Sequence, residues 1–129
     1  MIHVMNRRLL FAGLAIWLVG TVALRVVGQR LLRPNHSAAT LILFAVSFPL
    51  MAVMVRRLCI RAGLPPERWL SGAISVALPT LLLDPFSSAF FPLVFPNMSP
   101  EVAGVFGGWM LWCCAGALIG AMVPARQRA

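Results

Sequence analysis

Acidic side chains are nearly missing from this sequence: only Glu67, Asp84 and Glu101 occur in 129 residues. Lysine is absent, so all eleven basic residues are arginines. Charged residues make up 11% of the chain and hydrophobic ones 60%, whereas an average soluble domain is about 25% charged and roughly 45–50% apolar. So little charge excludes a soluble globular domain, and so much apolar sequence excludes a disordered chain or a collagen-like repeat.

Residues that carry chemistry are scarce too. The three cysteines, Cys59 and the adjacent pair Cys113 and Cys114, form no C-x-x-C, no haem-attachment motif and no zinc spacing. This argues against a four-helix thiol oxidoreductase, which needs a redox pair at the membrane edge, and the thiols read as small apolar fillers. His3 and His36 fall at a terminus and in a loop, away from the mid-membrane position of a haem or chlorophyll ligand. Phosphate-cradling glycine loops, Ser-His-Asp sets and paired carboxylates are missing. No catalytic residue, metal or cofactor is expected, and an enzyme ranks third among the functional readings.

What the sequence has is long apolar runs. Mean hydropathy is +0.90, and a bilayer core of about 30 Å takes about 20 apolar residues as a helix. Four segments qualify: about Leu9–Gly28, Ser37–Val55, Trp69–Leu83 with an irregular extension towards residue 95, and Pro100–Val123. The expected fold is all-α, a polytopic membrane four-helix bundle and a single domain over 1–129. A proline-broken, aromatic outer segment lies between the third and fourth helices. The first span also has the layout of a signal peptide, Arg7-Arg8 before an apolar stretch and small residues near Ala23; we expect it to be retained as a helix.

A net charge of +8 and a pI near 11.8 would suggest nucleic acid in a soluble protein. Here no basic domain exists outside the spans, and the arginines read as topology signals. With the N-terminus inside, Arg7, Arg8, Arg56, Arg57, Arg61, Arg68, Arg126 and Arg128 are cytoplasmic, and Arg25, Arg30 and Arg33 lie opposite. Both termini are then cytoplasmic, and no nucleic-acid partner is expected. Punctuation agrees with the spans: Ser99-Pro100-Glu101 supplies a cap, a first-turn proline and an acid, and Ala62-Gly63-Leu64-Pro65-Pro66 breaks the chain.

Glu67 and Glu101 belong to helix starts, which leaves Asp84. Leu70 to Leu83 carries the third helix ~21 Å across, and Arg25 lies ~24 Å along the first helix from the same face. The two are expected at similar depth towards the outer side, where an unpaired charge is expensive. Three readings stay open: an Arg25–Asp84 ion pair, separate snorkelling, and ion handling by Asp84. The segment from Asp84 to Asn97 holds Pro85, Pro92 and Pro96 with Phe86, Phe90, Phe91 and Phe95. A break at Asp84 followed by a short outer helix is favoured over a bent continuation. In the fourth span, Gly104, Gly108, Gly116 and Gly120 recur at four-residue steps, suiting close helix approach within the bundle or across a subunit interface.

The residues Leu10-Phe11-Ala12-Gly13-Leu14-Ala15-Ile16-Trp17, Leu81-Leu82-Leu83-Asp84-Pro85, Phe95-Pro96-Asn97-Met98-Ser99-Pro100-Glu101 and Phe106-Gly107-Gly108-Trp109-Met110-Leu111-Trp112-Cys113 resemble an uncharacterised family of small four-span bacterial inner-membrane proteins. The resemblance spans nearly the whole chain. It implies the four-span topology and no activity. The leading expectation is a non-enzymatic accessory or interaction subunit, with the lipid bilayer and a larger membrane complex or a homodimer as partners. The alternative is a small oligomeric transporter or proton-coupled exporter using Asp84.

Overall fold

In the computed structural model the described residues are 6–32 and 37–123, and all regular structure among them is helical. His3, Arg33, His36, Arg126 and Arg128 lie outside the described residues. The elements are α1 (Arg7–Leu31), α2 (Ser37–Arg61), α3 (Trp69–Ala89), α4 (Phe91–Val94) and α5 (Ala103–Met122), with 3-10 turns at Pro66–Arg68 and Pro100–Val102. With those turns included, four helices are long and apolar enough to cross a membrane. The expected all-α four-helix bundle forms.

Local sequence explains the ends. Asn6 caps α1, its Oδ1 accepting from the amides of Arg8 at 2.9 Å and Leu9 at 3.3 Å, which satisfies two of the first-turn donors. Its own amide donates to Ser75 Oγ at 3.1 Å, tying the start of α1 to α3. The end of α2 closes as a Schellman motif, with Leu64 N donating to Cys59 O and Gly63 N to Ile60 O, both at 3.0 Å. Gly63 takes the left-handed φ of +75° that this motif requires.

The helices pack in the lateral order α1, α3, α5, α2, while α1 and α2 scarcely touch. Small residues set the approach. A Cβ on Gly13 would overlap the Val76 carbonyl, so only glycine lets α1 lie on the backbone of α3 there. A Cβ on Gly116 would come within 2.9 Å of Phe48 O, and one on Gly120 within 2.6 Å of Ala52 Cα. These two glycines seat α5 on α2. Gly104 and Gly108 are exposed and would meet nothing, so the four-residue stripe divides into a packed half and an open half.

Two apolar cores form, one at each end of the bundle. The end holding the α1 start joins Leu9, Val55, Cys59, Trp69, Ala73, Val76, Ala117 and Ala121. There Arg56 donates from Nη2 to Val123 O at 2.9 Å and lies 5.2 Å from the Trp69 ring centroid, a cation–π contact that links α2, α3 and the end of α5. The opposite end joins Leu24, Leu32, Phe91, Phe95, Met98, Val102 and Phe106.

The favoured break at Asp84 does not occur. Helix α3 continues through Asp84 and Pro85 to Ala89, so Asp84 lies inside a helix and caps nothing. A proline within a span withdraws one amide, and neighbouring helices and serine hydroxyls stabilise the backbone around it. Ser75 Oγ donates to Ser71 O at 2.9 Å below Pro79, and Ser87 Oγ to Leu83 O at 3.5 Å beside Pro85. The helix ends before Pro92, where Phe90 turns to φ −110° and ψ 37°, because Pro92 has no amide to donate to Ser88 O and its ring would clash with that carbonyl in a continued helix. The four phenylalanines then separate by role. Phe91 and Phe95 are buried and meet Phe106 at ring-centroid distances of 5.6 and 5.0 Å, whereas Phe86 and Phe90 face outward.

Outward faces are apolar throughout the spans: Val19, Val22 and Val26 on α1 and Leu41, Ile42 and Val46 on α2 are all exposed. A continuous apolar surface on this scale belongs in lipid.

Candidate functional site

Between the two packed ends the four long helices leave a hollow of about 270 Å³. Its walls come from Trp17, Gly20 and Thr21 of α1, Met51 and Met54 of α2, Val76, Thr80 and Asp84 of α3, and Phe106, Trp109, Met110, Cys113 and Cys114 of α5. Among the described residues of this wall, Asp84 is the only carboxyl or basic group. A second hollow of about 160 Å³ lies between α3 and α5 and shares Thr80, Asp84, Met110 and Cys114 with the first. The carboxylate stands where the two meet.

Asp84 is 7% exposed. Its Oδ1 accepts a hydrogen bond of 2.8 Å from Trp17 Nε1, and its Oδ2 is buried without a hydrogen-bond partner. One indole N–H compensates part of a carboxylate's lost hydration; the second oxygen and the charge itself remain uncompensated.

The expected Arg25–Asp84 pair is not formed. The contact of Gly13 with Val76 sets the register of α1 on α3 and places Asp84 level with Thr21. Arg25 is four residues, ~6 Å, beyond that level. It follows buried Leu24 by one residue, about 100° round the helix, and is exposed. Axial depth was legible in the sequence, but phase was not: the α1 side chain that reaches Asp84 is Trp17, one turn to the other side of Thr21 and facing inward.

Indole donors are the functional feature that sequence reasoning missed. Trp109 Nε1 donates to Ser47 Oγ at 2.8 Å and Ser47 Oγ to Leu43 O at 2.6 Å. Trp112 Nε1 donates to Phe44 O at 2.8 Å, joining α5 to α2. Trp69 Nε1 donates to Leu64 O at 3.0 Å. The available signal was placement: Trp17, Trp109 and Trp112 lie within spans, where an N–H must find an acceptor. Asn97 was missed as well. Its Nδ2 donates to Leu24 O at 2.9 Å and Gln29 Oε1 at 2.6 Å, fastening the turn before α5 to the end of α1. Cys59 and Cys114 are buried and Cys113 is half-buried, all as free thiols. Cys59 Sγ contacts Trp69 O at 3.7 Å. Among the described residues no three His, Cys, Asp or Glu side chains gather as a metal site would need.

The class these features define is a multi-pass membrane protein with a carboxylate-bearing hollow inside its bundle. Residues 31–128 match the model of a family of unknown function, DUF5367, and the chain belongs to that family. The match takes in α2 to α5 and only the last residue of α1, less of the first span than the resemblance suggested. No curated protein and no solved structure gives a match.

Proposed function

We propose that this chain is a non-enzymatic carrier of the bacterial inner membrane, or one subunit of a small oligomeric carrier, with both termini cytoplasmic. Asp84 exchanges a proton for a guest held in the central hollow. One observation carries this reading: a buried carboxylate with a free oxygen lies on the wall of both hollows. A charge in such a place needs a proton or a cation beside it, and intramembrane carboxylates mark ion pathways for that reason. The groups around Asp84 leave it to act alone: Trp17 and Thr21 on α1, Met51 and Met54 on α2, Thr80 on its own helix, and the thiols Cys113 and Cys114 on α5.

The test uses proteoliposomes carrying a pH gradient and a panel of hydrophobic compounds of either charge and none. The carrier discharges the gradient faster than protein-free liposomes do with at least one compound, and Asp84→Asn adds nothing to that passive rate with any. A panel without effect, or an Asp84→Asn protein as active as wild type, contradicts the reading.

The accessory-subunit reading has separate support in the open half of the glycine stripe, where Gly104 and Gly108 leave α5 uncovered. Purification in mild detergent separates the two. A stoichiometric larger complex supports the accessory role, and a homo-oligomer supports the carrier.

A further inference from the structure

We propose that the guest is a lipophilic amine in its cationic form, taken laterally from the bilayer with its ammonium against Asp84 Oδ2. This rests on the carrier reading and adds the chemical class, the contact and the route.

Charge selects the class. Among the described residues both hollows are lined by a single carboxylate, Asp84, and by no basic side chain. An anionic guest would meet only like charge, and a neutral one, even with an O–H or N–H to donate, would leave the carboxylate's charge unbalanced. A protonated primary or secondary amine supplies both the counter-charge and an N–H donor, and a charge-assisted bond in a dry wall is the stronger kind. Oδ1 is already committed to Trp17 at 2.8 Å, so Oδ2 is the oxygen left without a partner.

Volume selects the size. A cavity of about 150 Å³ takes benzene, so the hollow of about 270 Å³ suits a body of two fused rings. Met51, Met54, Phe106 and Trp109 offer it adaptable and aromatic surface.

The route follows from what is shut. Packed cores close the bundle at both ends, whereas α1 and α2 scarcely touch. Gly20, Ala23 and Leu31 line the hollow and are also exposed, so its mouth lies on the lipid-facing side of α1. A Cβ on Gly20 would meet nothing within 4 Å. The glycine is a gap in the wall, and a larger side chain there can fill the mouth without disturbing the packing.

The experiment measures binding of 1-naphthylmethylamine and its neutral analogue 1-ethylnaphthalene to the purified full-length protein in detergent, read by tryptophan fluorescence. Wild type binds the amine about tenfold more tightly than the neutral analogue, a difference that ion pairing readily supplies. Asp84→Asn loses that preference while Asp84→Glu keeps most of it, and Gly20→Leu slows association of both compounds. Equal binding of amine and neutral analogue by wild type overturns the proposal without requiring any variant to fold. So does a preference that survives in Asp84→Asn. Discharge of a pH gradient by anionic or neutral compounds only would leave the carrier reading standing and this inference fallen. Asp84-dependent amine binding with no gradient discharge would do the reverse.

Discussion

The indole N–H of Trp17 makes its hydrogen bond to a carboxylate with no other partner, so Trp17→Phe removes the single group that compensates Asp84. The expected loss is about 1–3 kcal/mol, the range for leaving a buried polar group unsatisfied, measured as a lower midpoint in detergent unfolding. Arg25→Gln should stay within about 0.5 kcal/mol of wild type, as an exposed side chain away from any contact does. If Arg25→Gln proved as costly as Trp17→Phe, the arginine would be serving the carboxylate after all. The sequence singled out Asp84 because so few acids compete for attention. It gave no reason to pick Trp17 over Arg25, because a charge advertises a partner whereas a tryptophan in an apolar run reads as one more apolar side chain.

Among the elements, α5 carries two different faces on one glycine repeat. Gly116→Val and Gly120→Val push side chains into Phe48 and Ala52 of α2 and should cost about 1–3 kcal/mol through overpacking. Gly104→Val and Gly108→Val face open space and should leave the unfolding midpoint of the isolated protein nearly unchanged. In the accessory reading these two would instead dissolve a larger complex, seen as a shift in elution volume. Four-residue spacing announces a close approach, yet it does not say which half of the stripe meets a helix of the same chain. The bend of α3 was equally illegible. Pro85 beside Asp84 has the form of a helix start, and only the packing of α3 between α1 and α5 holds the helix continuous through it.

Taken whole, the molecule has two packed ends and a hollow waist. Span number and helix class were readable because ~20-residue apolar runs leave no other solution in a bilayer. The waist was not readable, because a cavity is set by the sizes of side chains on four helices at one height, and their relative phases are decided by packing. The arginine distribution predicts cytoplasmic termini. Reporter fusions at residue 129 and in the turn at residue 97 check this: the first should report cytoplasm and the second the opposite side.

The most direct test of the central claim, that Asp84 is the counter-charge for a guest in this waist, is thermal melting with excess 1-naphthylmethylamine. A ligand that binds only the folded protein stabilises it by mass action, about 2.7 kcal/mol at one hundred times its dissociation constant. Wild type should melt several degrees higher with the amine and far less so with 1-ethylnaphthalene, and Asp84→Asn should show no difference between the two compounds. Equal shifts with both compounds in wild type would contradict that claim.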